Sequence, residues 1–214
     1  SMKEYKPEYH RYLPHFQPKG VMFFVTGRLY GSLPAEALER LKEEKETAYR
    51  RILEEHKDEI QQKEAINQLH KKHFVRWDTY LDTNFREPQH LLHPAVSALL
   101  KESFHYWDTH SYDLIAYTIM PNHFHLVIDT CDEVRFTKPL YRIMHSIKSY
   151  TGKEANKVLN RTGTFWQEES YDHIVRNGRE LKNIINYVLE NPVKAGLSAH
   201  WQAYAHSFVN ENYW

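Results

Sequence analysis

The stretch "YTIMPNHFHLVI", Tyr117 to Ile128, decides how the chain is read. Its flanks are β-branched and aromatic, and Pro121-Asn122 interrupts it, so it reads as strand, turn, strand. "YDLIAYTIM" is the incoming strand and "HFHLVIDT" the outgoing one. Side chains alternate across a strand, so residues two apart share a face about 7 Å apart. His123 and His125 therefore point one way, while Phe124 and Leu126 point the other, into a core.

Outward from this hairpin the chain supplies the rest of a sheet and its helices. "GVMFFVTGRLYG", Gly20 to Gly31, reads as a first strand. Residues 34 to 72 are dense in Glu, Lys, Arg, Gln and Ala after Pro34. They predict one long or two shorter helices whose charges form a solvated face. "PAVSALLKESFHYW", Pro94 to Trp107, predicts another helix, and a further helix covers about 138 to 159. "DHIVR" is a fourth strand and "GRELKNIINYVLEN" a last helix. The order strand, helices, strand, strand, helix, strand, helix is that of an α+β, ferredoxin-like split βαβ fold with an antiparallel sheet. The expectation is one domain over 1–214, with a charged helical insertion at about 34–107 and a short aromatic C-terminal tail packed on the domain.

Composition excludes several classes. Hydrophobic residues make up 41% of 214, enough for a sizeable core. Lys plus Arg equals Asp plus Glu at 28 each, so any nucleic-acid site must be a local patch. Cys131 is the single cysteine, which rules out an internal disulfide framework and points to a reducing, cytoplasmic compartment. No apolar run is long enough to span a bilayer.

Two imidazoles on one rigid strand face supply half of a divalent-metal site. The alternative is a pair of partly exposed histidines on an open sheet. The last helix carries an apolar stripe of Leu181, Ile184, Ile185, Val188 and Leu189. Tyr187 stands off that stripe, with Asn191 one turn and about 6 Å further on. Tyr187 either covers the rim of the core or is available for chemistry. Asn191 precedes Pro192 and either ends the helix or faces a site.

"MPNHFHLVI", then "FWQEESYDHIVR", then "YVLENPVKAGL" together resemble the REP-associated tyrosine transposases. These are relatives of the single-strand insertion-sequence transposases in the HUH superfamily, named for His-hydrophobic-His. The resemblance runs from about Gly20 to Leu197. It implies a metal held by His123, His125 and Asn191, and Tyr187 as nucleophile. It also implies DNA-hairpin partners and a covalent 5′-phosphotyrosine intermediate, giving cleavage and strand transfer without a nucleotide cofactor. Two neutral imidazoles and an amide leave most of the ion's charge uncancelled, which suits Mg²⁺ or Mn²⁺. Tyr150 and Tyr171 are competing tyrosines, the first expected in packing and the second shaping the site.

The helix from 138 to 159 carries Arg142, Lys153 and Lys157 opposite its apolar stripe, with Arg161 soon after. Such residues suit phosphates. A plain solvated face is the alternative. Trp166 and Phe165 either stack on an unpaired base or join the core. The long charged insertion and the neutral net charge depart from a compact DNA enzyme. Two rivals therefore stand beside the transposase reading: an inactive hairpin-binding protein, and a phosphoesterase without a covalent step. The pattern leaves open whether the protein is a monomer or a homodimer.

Overall fold

The computed structural model describes residues 8–10, 14–16, 19–83 and 88–214. The chain divides into two compact units, residues 31–88 and the remainder.

The larger unit is built on a five-stranded antiparallel sheet. Its strands are β3 (Met22–Arg28), β4 (Asp113–Ile119), β5 (His123–Asp129), β6 (Tyr171–Val175) and β7 (Ser207–Val209). Their order is β6-β3-β5-β4-β7. The first four strands in chain order thus stand fourth, first, third, second, which is the ferredoxin-like arrangement expected from the element order. The aromatic tail adds β7 at the edge beside β4, so it is part of the sheet. Two short strands, β1 (Glu8–His10) and β2 (Pro14–Phe16), pair separately.

One sheet face carries Phe23, Val25, Leu114, Phe124, Leu126 and Ile128, all buried. It is covered by α3 (Pro94–Trp107) and α4 (Leu140–Val158), which also pack on each other. Leu100 and Phe104 of α3 and Ile143 and Ile147 of α4 fill the layer. Each such large side chain contributes about 1.5–3 kcal/mol by leaving water. Gly27 is what lets Phe124 lie flat against β3. A Cβ there would sit 2.4 Å from Phe124 Cζ. α3 belongs to this packed layer and to the same compact unit as the sheet.

The other face is covered by α5 (Gly178–Lys194), through contacts with β4 and β5. Asn177 and Glu180 form a reciprocal cap at its start. Asn177 Oδ1 accepts from Glu180 N at 2.9 Å, and Glu180 Oε2 accepts from Arg176 N at 2.8 Å. The same carboxylate holds His173 of β6 at 2.6 Å, tying the helix start to the sheet. Pro192 does not end the helix at Asn191. It removes only one N–H in the last turn, and Ala195 N closes on Asn191 O at 3.0 Å.

The smaller unit holds α1 (Ala35–Glu55) and α2 (Glu59–Thr83), so the charged segment makes two helices. They break where His56 N closes the first on Ile52 O and Asp58 Oδ1 caps Gln61 N. An ion pair between Glu44 and Arg76 joins them. The remaining charges are largely solvated along the helix, as the Glu59–Lys63 pair at 2.9 Å illustrates. Among the described residues, no helix is long and apolar enough to cross a membrane.

Candidate metal and nucleophile site

The face under α5 is where strand alternation puts the histidines. Register pairs His125 with Thr26 on one side and Thr118 on the other, and pairs His123 with Arg28. Thr26 in turn pairs with Tyr171, and Thr118 with Ser207. Paired residues on an antiparallel ladder share a face with Cβ atoms about 5 Å apart. A row of polar side chains therefore crosses all five strands on the side away from the main core. Ser207 and Thr118 join their hydroxyls at 2.8 Å.

His123 and His125 are both fully buried, with ring centroids 4.9 Å apart. One nitrogen of each lies within 4.8 Å of the other's, close enough to share one ion. Their Nδ1 atoms are engaged. Asn122 Oδ1 lies 2.7 Å from His123 Nδ1, and Thr26 Oγ1 lies 2.6 Å from His125 Nδ1. With Nδ1 of each ring so placed, Nε2 is the nitrogen that would meet an ion, and two such imidazoles fit a divalent metal.

Tyr187 packs here too. Its ring lies 5.7 Å from that of His125 and 6.2 Å from that of Phe24. Asn191, one turn later, is 2% exposed. α5 thus brings Tyr187 against the histidine pair and buries Asn191 on the helix that covers it. Lys194 Nζ sits 5.6 Å from the Tyr187 ring centroid, which places a cation near the same tyrosine.

The competing tyrosines separate by position. Tyr150 is 49% exposed on α4, not packed, and α4 covers the opposite sheet face. Tyr171 begins β6 on the histidine face, and burial followed by the nearby Asp172 and Glu180 charges pushes its hydroxyl well above the usual tyrosine range. Its hydroxyl stays protonated, which suits a shaping role.

A groove of about 1170 Å³ runs between α4 and residues 163–172. Arg142, Lys153, Ser146 and Ser149 line it. Lys148 Nζ bridges its walls by donating to the carbonyls of Gln167 and Glu168 at 2.8 and 3.2 Å. Lys157 instead pairs with Glu154 at 2.8 Å. Arg161 lies 6.0 Å over the Phe165 ring. Trp166 is 6% exposed, edge-on to Phe124, and its Nε1 donates to Thr151 Oγ1 at 3.0 Å. Trp166 and Phe165 both pack in the core and also line the groove.

Sequence reasoning missed Thr26, Arg28 and Asn122. Thr26 and Arg28 lie two apart in "VTGR", a pattern that carries no weight until the strand register is known. Arg28 is 2% exposed, and burial lowers its guanidinium to about 10, against the opposing pull of Glu169; it stays a cation at neutral pH.

The family model described as "Transposase IS200 like" matches residues 83–191. A Haemophilus influenzae protein named provisionally as a REP-associated tyrosine transposase is 24% identical over 97 residues, which is 40% of this chain and 52% of that protein. The chain thus spans about half the length of this curated relative. A solved structure of a REP-associated tyrosine transposase bound to a REP hairpin shares the fold, with a TM-score of 0.53 at 15% identity over 96% of this chain and 82% of that one.

Proposed function

We propose, from the premise that this chain belongs to the IS200-like transposase family, that it is a single-stranded DNA endonuclease and strand transferase. It acts on hairpin-forming repeats through a 5′-phosphotyrosine intermediate. The observation that carries this reading is the Tyr187 ring against His125 of a buried histidine pair.

His123 and His125 would hold a divalent metal, Mg²⁺ or Mn²⁺, with the Asn191 amide as a third ligand. When bound, the ion acts as a Lewis acid on the scissile phosphate. Tyr187 Oη attacks phosphorus and gives up its proton. The P–O3′ bond breaks, and the departing 3′-oxygen takes up, by way of solvent, the proton that Tyr187 released and becomes a hydroxyl. The product is an O–P bond between Tyr187 and the 5′-phosphate. Because that ester keeps the energy of the original bond, a 3′-hydroxyl of another strand can reverse the step, which is strand transfer.

The groove beside α4 would take DNA, with Arg142 and Lys153 on phosphates and Lys157 and Arg161 at its margin. The hairpin held by the related solved structure supports a hairpin partner for this chain. A cytoplasmic protein working at the nucleoid follows from a DNA substrate.

The test is an adduct assay. The protein is incubated with Mn²⁺ and single-stranded hairpins, including repeats flanking its own gene, and resolved under denaturing conditions. A covalent protein–DNA band supports the proposal. Binding without a band favours an inactive hairpin-binding protein. Cleavage without a band favours a phosphoesterase.

A further inference from the structure

We propose that Asn122 and Thr26 are positioning residues that fix the tautomer of the two imidazoles, so that each presents an unprotonated Nε2 to a metal. The inference rests on the metal reading above for its purpose, but its core claim concerns the metal-free protein.

Met120 N donates to His123 O at 2.8 Å, which closes a tight turn over Pro121-Asn122. Leu29 N donates to Asn122 O at 2.9 Å, which pins that residue to the end of β3. Asn122 is fully buried, so its side chain has a fixed place. Its Oδ1 lies 2.7 Å from His123 Nδ1. An amide oxygen accepts and never donates, so the proton between them belongs to Nδ1. A neutral imidazole with its proton on Nδ1 carries a lone pair on Nε2. The opposite tautomer would set two lone pairs against each other at hydrogen-bond distance between two fully buried side chains.

Thr26 repeats the device on β3. Its hydroxyl lies 2.6 Å from His125 Nδ1 and can accept the Nδ1 proton. The strand register makes the contact, because Thr26 and His125 are ladder partners. Both clamps are neutral. Metal-binding histidines are often held by carboxylates, which push charge onto the ring and make it a stronger donor. An amide and a hydroxyl orient the ring without adding an anion. The arrangement keeps an ion's positive charge available to a phosphate, at the expense of some affinity.

The experiment reads tautomers directly. Long-range ¹H–¹⁵N spectra of the metal-free full chain distinguish protonated from unprotonated ring nitrogens. In wild type, His123 and His125 are expected to carry their protons on Nδ1. Asn122→Leu should release His123 into a mixture, and Thr26→Val should do so for His125. Mn²⁺ titration followed by electron paramagnetic resonance should show affinity weakened by about 10–100-fold in each. Asn122→Asp and Thr26→Ser keep an acceptor and should retain the wild-type tautomer, with Mn²⁺ affinity equal to wild type for Thr26→Ser and at or above it for Asn122→Asp. A wild-type His123 with its proton on Nε2 overturns the proposal. So does an Asn122→Leu protein, folded by its amide spectrum, that keeps both tautomer and Mn²⁺ affinity. If Asn122→Leu does not fold, the near-isosteric Thr26→Val carries the same test on His125. A wild type with the expected tautomers that binds no Mn²⁺ supports the clamps and overturns the metal reading instead.

Discussion

The Tyr187 ring stands edge-on to His125, 5.7 Å between centroids at an interplanar angle of 64°. A helix and a central strand thus deliver a phenol and an imidazole to one place. Tyr187→Phe removes one oxygen and keeps the ring contacts to His125 and Phe24, so stability should change by less than about 1 kcal/mol. Formation of the covalent DNA adduct should be lost altogether, as read on a denaturing gel. A surviving band would move the nucleophile to another tyrosine, and Tyr171, on the same sheet face, would be the next to replace.

Replacing His123 and His125 together by Ala should abolish Mn²⁺-dependent cleavage while hairpin affinity changes little. The groove residues proposed to meet phosphates lie on α4 and the segment after it, across the sheet from the pair. Gel-shift and cleavage assays on one hairpin separate the two effects. Undiminished cleavage by the double variant would exclude the histidine pair as the metal site.

Arg142 and Lys153 line the groove, whereas Lys157 is engaged by Glu154. Changing Arg142 and Lys153 to Gln should weaken binding to all hairpins and reduce the slope of log affinity against log salt by about 2. Lys157→Gln should change it by less. Equal slopes for the double variant and wild type would put the DNA on a different surface.

Gly27→Ala should destabilise the larger unit by about 1–3 kcal/mol, because the new methyl meets the Phe124 ring and one of them must move. Urea unfolding measures the loss. Phe124→Leu in the same chain should recover part of it, since a narrower side chain gives the methyl room. A Gly27→Ala protein as stable as wild type would mean that Phe124 can shift without loss.

Much of this was legible in the sequence because it depends on local periodicity. Alternation in "HFHLVI" alone puts His123 and His125 on one face and Phe124 and Leu126 on the other, since the pleat has a period of two. The 3.6-residue period of "LKNIINYVLEN" alone sets Tyr187 off its apolar stripe. The order of elements was enough for the ferredoxin-like topology, because a split βαβ unit has few ways to close. What the tertiary structure decided is non-local. That Thr26 meets His125 and Arg28 faces His123 follows from the register of β3 on β5, which no spacing within "VTGR" encodes. That Trp166 packs on Phe124 follows from close packing in three dimensions: an aromatic pair following a basic helix looks the same in sequence whether its rings are buried or bare. Asn191 before Pro192 resembles a helix end because proline disfavours helical geometry in its predecessor. The helix nevertheless continues to Lys194: proline removes one N–H in the last turn, Pro192 is itself buried, and Ala195 N still closes on Asn191 O at 3.0 Å.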